Sequence, residues 1–185
     1  MLYTRKGDGG TTKTFGCDQR ISKSSSVAEA LGSLDETNSF LGIIRAKTAG
    51  AIFKISGEEI KYSDVVLEVQ QNLFIVQAEV AGSPLAITEE KVKKVEHIVD
   101  EIEKVLPPIK SFFISGATEL GGFFDFARTL ARRAERRVVA AREEGKITVS
   151  AETAQYLNRL SSLLYALARI SSHIEGKEEL KPEYK

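Results

Sequence analysis

Five stretches of this chain carry apolar side chains at spacings of three, four and seven, a period that commits most of its length to amphipathic helices. Val27, Leu31, Leu34, Leu41 and Ile44 predict a first helix over about 26–47. Val66, Val69, Leu73, Val76 and Val80 predict a second over about 64–82, stopped by Gly82-Ser83-Pro84. Thr88-Glu89-Glu90 opens a third that runs to about Leu106, with Val92, Val95, Ile98, Val99, Ile102 and Val105 inward, and Pro107-Pro108 ends it. Phe123, Ala127, Leu130, Ala134, Val138 and Ala141 set a fourth over about 118–143, capped by Gly145. Leu157, Leu160, Leu164, Leu167 and Ala168 set a fifth over about 150–175. Between them, residues 48–63 are broken by Gly50 and Gly57 and read as a loop, and Phe112–Gly116, with Gly121-Gly122 beyond, reads as an apolar linker. No strand alternation and no repeat competes with this pattern. The expected fold is therefore all-α: an antiparallel five-helix bundle over residues 27–175, an N-terminal arm over 1–26, and a charged, frayed tail over 176–185.

Several function classes drop out on composition. Lys and Arg number 26 and Asp and Glu number 26, so no net positive charge favours nucleic acid or a membrane surface. Cys17 stands alone, so no internal disulfide forms, and His97 and His173 are the only imidazoles. A His/Cys zinc site cannot be assembled within one chain, and a Ser-His-Asp or Cys-His hydrolase is disfavoured. His97, among Lys94, Glu96 and Asp100, is expected to be solvated. The residues after Met1 do not form a signal peptide, and no apolar run reaches the roughly 18 residues of a membrane span, so the expected compartment is the cytoplasm. Chemistry is left to carboxylates, guanidinium groups, backbone amides or a borrowed cofactor.

Two clusters suit anionic ligands. The arm has five basic residues (Arg5, Lys6, Lys13, Arg20, Lys23) against Asp8 and Asp18, set among glycines and hydroxyls in Thr4-Arg5-Lys6-Gly7-Asp8-Gly9-Gly10-Thr11-Thr12-Lys13. Glycines let backbone amides approach an anion, hydroxyls donate, and Lys and Arg supply charge, which is the chemistry of a phosphate cradle. It matches neither a Walker loop nor a dinucleotide fingerprint, and a flexible N-terminal tail is the alternative. In the fourth helix, Arg128, Arg132, Glu135 and Arg136 fall at i, i+4, i+7 and i+8 and share one stripe. Such a stripe repels itself unless carboxylates or polyphosphate lie among the guanidiniums; the alternative is a solvated basic face laced with salt bridges. Asp35 stands at the edge of the first helix's apolar stripe, placed either to pair with an arginine of the fourth helix or of a neighbouring subunit, or to be an ordinary surface acid. Asn158 is a poor helix-interior residue unless its amide has a partner, so a ligand or metal-water contact competes with an exposed polar pair with Arg159. Phe112-Phe113 reads as core.

Taken together these segments resemble the PduO-type ATP:cob(I)alamin (corrinoid) adenosyltransferases. The resemblance rests on Thr4–Thr12, Arg20-Ile21-Ser22-Lys23, Ala30–Ser39, Leu73-Phe74 with Ala78-Glu79-Val80-Ala81, Phe112–Gly116, Ala127–Arg137 and Tyr156–Ser161, in family order over about residues 3–170. Two departures stand out. Ser115-Gly116-Ala117 replaces the family's usual Pro-Gly-Gly, and the 48–63 stretch is longer than usual.

The resemblance implies a homotrimer of five-helix bundles with active sites between neighbouring subunits. It implies that Thr4, Arg5, Lys6, Gly7, Thr12, Lys13 and Lys23 bind the triphosphate of ATP, with Arg132, Arg133, Glu135 and Arg136 lining the same site. No side chain is implied as a direct metal ligand; Mg²⁺ comes with the phosphates, near Asn158. Arg128 would pair with Asp35 of the adjacent subunit, and Phe112 would press beneath the corrin and displace its lower axial base. The implied reaction transfers the 5′-deoxyadenosyl group of ATP to cob(I)alamin and releases triphosphate. A corrinoid reductase and an adenosylcobalamin-dependent enzyme are the implied partners, with no nucleic acid and no membrane. A nucleotide- or corrinoid-binding carrier without turnover is the alternative in another class; an RNA-binding helical module is disfavoured by the zero net charge and the lack of an aromatic platform.

Overall fold

Side-chain caps fix three of the helix starts. In the computed structural model, which describes residues 3–14 and 19–184, Ser25 accepts from the Ala28 amide, Thr118 from the Gly121 amide and Ser150 from the Thr153 amide. Cys17 and the arm positions Gly16 and Asp18 lie outside the described residues. The helices are α1 (Ser26–Lys47), α2 (Tyr62–Val80), α3 (Glu89–Val105), α4 (Glu119–Glu143) and α5 (Ala151–Ile174). Their bounds follow the expected ones to within two residues. Among the described residues no helix is long and apolar enough to cross a membrane.

The helices pack in the order α2, α1, α4, α5, α3. The fifth helix is apolar on more than one face: Leu157, Leu160, Leu163, Leu164, Leu167, Ala168 and Ile170 are all buried, because α5 is covered by α4 on one side and α3 on another. Close approach of α4 to α5 requires a glycine. A Cβ on Gly121 would lie 2.8 Å from Ser172 Oγ, 2.9 Å from Thr118 Oγ1 and 3.1 Å from the Ala168 carbonyl oxygen. At the other end of the bundle the buried Glu79 carboxylate accepts from the Ser150 amide at 2.6 Å and from the Thr153 hydroxyl, tying the end of α2 to the positive start of α5. That contact accounts for the acid in Ala78-Glu79-Val80-Ala81.

Two hairpins depart from the expected all-helical chain. The arm pairs β1 (Thr11–Lys13) with β2 (Arg20–Ser22). The stretch expected as a loop over 48–63 is instead β3 (Ile52–Ile55) paired with β4 (Glu58–Lys61), leading directly into α2. Its turn residues Ser56 and Gly57 are both left-handed, at φ 50° and 83°, as a tight two-residue hairpin demands. Phe53 and Ile55 alternate with exposed Ile52 and Lys54, so one face of β3 is buried against α3 and α5. Phe53 stacks 4.7 Å from Tyr62, which lies 5.8 Å from Phe124, and this aromatic chain joins the hairpin to α2 and α4.

The tail is not frayed as expected. Leu180 accepts from the Ile114 amide at 2.8 Å. Glu179 meets the buried Arg169 guanidinium at 2.9 Å, and the same guanidinium donates to the Pro107 carbonyl and lies 5.3 Å from the Phe113 ring. A buried charge persists only when paired and hydrogen-bonded, and the tail supplies that pairing.

Candidate functional site

The segment between α3 and α4 carries Phe112 into a cavity of about 540 Å³ against α4 and α5. Asp125, Arg128, Arg132, Ser161, Tyr165 and Arg169 form its helical wall. Phe112 is 80% exposed, which corrects the expectation that both phenylalanines are core; Phe113 alone is half-buried, against Arg169. A large apolar ring held out from the surface beside arginines suits a ligand with both an apolar face and an anionic part. The Arg128 guanidinium lies 5.6 Å from the Tyr165 ring centre and its Nε is 3.6 Å from Asp125 Oδ1. Burial, ahead of the surrounding charges, pushes the Tyr165 phenol above its ordinary value, so it stands in this wall as a neutral hydroxyl.

The arginines of α4 divide between two neighbours. Arg133 forms an ion pair with Glu36 and Arg137 lies 3.9 Å from Glu29, both on α1. Arg128 and Arg132 border the cavity with α5, and Glu135 accepts from the Asn158 amide at 3.0 Å. Asn158 in turn accepts from Arg159 at 2.8 Å, so its amide has two protein partners. Arg132 and Arg136 are exposed. The pairing with α1 thus falls to Arg133 and Arg137, which lie beside the stripe; within the stripe Arg128 has Asp125 nearby and Arg132 and Arg136 are exposed.

The arm is organised around Arg20. Its guanidinium donates to the Lys6 carbonyl and, at 2.7 Å, to both the side-chain and main-chain oxygens of Thr11, which fixes the Thr4–Gly10 turn against the β1–β2 hairpin. Arg5 adopts φ 58°, a left-handed conformation unusual for a side-chain-bearing residue and frequent at binding loops. Lys23 lies over the same turn: its Nζ is 3.2 Å from where a Cβ on Gly7 would sit, so any side chain there would press on the ammonium. Thr4, Arg5 and Lys6 are exposed, and Thr12 is half-buried. Lys13 and Thr14 border a second cleft with Leu31, Gly32 and Asp35 of α1 and Phe74 and Gln77 of α2.

One chain therefore brings Phe112, Arg128 and Arg132 together at one cleft, Lys13 and Asp35 at another, and Glu135 and Asn158 at a third. Asp35 and Arg128 border different clefts. Among the described residues no group of three or more His, Cys, Asp and Glu side chains converges to hold a metal. The sequence reading missed Asp125, Tyr165, Arg169 and Glu179. Asp125 was detectable three residues before Arg128 on one helix face; the Arg169–Glu179 pair carries no local signal.

The cobalamin adenosyltransferase family model matches residues 2–171. The chain belongs to the cobalamin adenosyltransferase family. It is 36% identical over 179 residues to the corrinoid adenosyltransferase PduO of Citrobacter freundii, covering 93% of this chain and 50% of that protein. It is 34% identical over 182 residues to the corrinoid adenosyltransferase of Mycobacterium leprae, covering 92% of this chain and 91% of that one. The chain thus spans about half the length of the PduO relatives and nearly all of the mycobacterial one. Among solved structures it resembles a variant PduO-type ATP:corrinoid adenosyltransferase from Lactobacillus reuteri complexed with cobalamin and ATP, at TM-score 0.85 and 26% identity over 98% of this chain and 96% of that chain.

Proposed function

We propose that this chain transfers the 5′-deoxyadenosyl group of ATP to the cobalt of a reduced corrinoid, releasing triphosphate. The observation that carries the reading is the exposed Phe112 ring sharing one cavity with Arg128 and Arg132. Cob(I)alamin is itself the nucleophile. Its cobalt lone pair forms the bond to C5′, and the C5′–O bond breaks with its electrons leaving on the triphosphate. No general base is needed, in keeping with a cavity walled by Asp125, Arg128, Arg132, Tyr165 and Arg169 and without histidine. What the protein must supply is orientation and cationic stabilisation of the leaving group.

Thr4, Arg5, Lys6, Gly7, Thr12, Lys13 and Lys23 take the triphosphate, with Arg132, Arg133, Glu135 and Arg136 along its other side. Mg²⁺ enters with the nucleotide as part of the substrate, near Asn158. Phe112 lies under the corrin, where an apolar ring disfavours the lower axial base. Asp35 borders one cleft with Lys13 and Thr14 of the arm, and Arg128 and Phe112 border another; a homotrimer that pairs Arg128 with Asp35 of its neighbour would join the two. Exposed Ile43, Leu67 and Phe74 on α1 and α2 provide apolar surface for that contact. Reductive generation of the substrate and consumption of the product by an adenosylcobalamin-dependent enzyme place its partners, in the cytoplasm.

The test is direct. Reduced cobalamin with MgATP is expected to yield adenosylcobalamin and intact triphosphate in equal amounts. Pyrophosphate or phosphate as the released anion rejects the reading in favour of another ATP-cleaving reaction, and binding with no alkylated product and no released anion rejects it in favour of a non-catalytic carrier.

A further inference from the structure

The Asp125 carboxylate, in the helical wall of the Phe112 cavity, touches both Arg128 on α4 and the linker that bears Phe112. It lies on the second turn of α4, with its side chain only 14% exposed. Its two oxygens go separate ways. Oδ2 accepts from the Gly116 amide at 3.3 Å, across from the helix to the linker that bears Phe112. Oδ1 lies 3.6 Å from Nε of Arg128. That Nε is buried and has no hydrogen-bond partner among the described residues, so Asp125 is the charge that compensates it from one side while the Tyr165 ring covers the guanidinium. An ion pair three residues apart on an exposed helix is ordinarily worth little. This one is partly buried, and its second oxygen anchors a segment nine residues upstream, which simple helix stabilisation does not require.

Gly116 is left-handed, at φ 89°, and its neighbours Ser115 and Ala117 include no proline. A glycine turn with no proline to fix a φ beside it keeps its conformational freedom unless a contact holds it. We propose that Asp125 supplies it. Asp125 is a positioning residue for corrinoid alkylation: it acts through Arg128 and through the Gly116 amide to set the spacing between the guanidinium and the Phe112 ring. The inference rests on the adenosyltransferase reading for its kinetic consequence, and its structural half stands on geometry alone.

Two variants separate the contacts. Asp125→Asn keeps an oxygen for the Gly116 amide and removes the charge beside Arg128; Asp125→Ala removes both. Amide hydrogen exchange at Gly116 is expected to rise about fivefold in Asp125→Ala and to stay near wild type in Asp125→Asn, the change expected from one lost hydrogen bond. Steady-state adenosylation by Asp125→Asn is expected to show kcat/KM for the corrinoid lowered about tenfold, with KM for ATP and the melting temperature unchanged. Equal losses for both substrates, a wild-type corrinoid profile in Asp125→Asn, or unchanged exchange at Gly116 in Asp125→Ala would each overturn the assignment. A wild-type chain that forms no adenosylcobalamin would strike the proposed function instead, and the exchange rate at Gly116 would still decide whether Asp125 anchors the linker.

Discussion

With 80% of its surface exposed, Phe112 contributes little buried apolar area to the fold, so its truncation should cost function and not stability. Phe112→Ala is expected to melt within about 2 °C of wild type and to bind ATP normally, while adenosylation slows. A large fall in melting temperature, or an unchanged rate, would take Phe112 out of the site. Arg132 is the opposite case on the same cavity, an exposed cation to which the proposed function gives a phosphate as partner. Losing one charge-assisted contact to phosphate costs about 1.5–3 kcal/mol, so Arg132→Ala should weaken ATP use by ten- to a hundredfold, measured as kcat/KM for ATP. The arginines were legible in the sequence because helical spacing places them without further information. From its residues alone Phe112 read as core, because a linker has no period from which burial can be read, and only the resemblance set it at the site. Glu36 and Glu29, which hold Arg133 and Arg137, were invisible in the sequence, since nothing local says which face of α1 meets α4.

At the scale of elements, Gly121 limits how closely α4 can pack on α5. A methyl group there meets the Ser172 and Thr118 hydroxyls and the fixed Ala168 carbonyl, so Gly121→Ala is expected to destabilise the fold by about 1–3 kcal/mol, read from chemical denaturation midpoints. The β3–β4 hairpin is joined to α3 by Glu101, which accepts from Lys104 and from the Ser56 hydroxyl at the hairpin turn. These hydrogen bonds, Lys104 first, hold the Glu101 carboxyl below its ordinary value. The folded chain therefore binds that proton less tightly than the unfolded chain. The stabilisation is full above the unfolded value and is lost as pH falls through the lowered folded one. Glu101→Gln should accordingly flatten the decline in melting temperature between about pH 5 and 3, and an unaltered slope would show that the contact does not contribute. Helices were legible through their apolar period, whereas the caps at Ser25, Thr118 and Ser150 emerged only in the structure, and Thr88, the opening read from the sequence, makes no side-chain cap. The hairpins were not legible, because three or four residues per strand give too short an alternation, and Gly50 and Gly57 read first as breaks in the second of them.

At the scale of the whole molecule, the question is whether one chain can hold a complete site. Lys13 and Thr14 of the arm border one cleft with Asp35, and Phe112, Arg128 and Arg132 border another. If the proposed trimer joins these clefts across each interface, Asp35 of one subunit and Arg128 of the next are two halves of one site. Asp35→Asn and Arg128→Ala would then each lose adenosylation alone, yet complement when co-expressed. A working interface needs Asp35 from one subunit and Arg128 from its neighbour, which random assortment of equal amounts provides at about one quarter of interfaces. The expected outcome is thus about a quarter of wild-type turnover from the mixture, against near-zero for each homomer, with light scattering reporting a trimer in all three samples. Mixed samples no more active than the homomers, while still trimeric, would mean that each chain closes its own site. Monomers with full activity would remove the shared interface altogether and leave the two clefts as separate features of a single bundle.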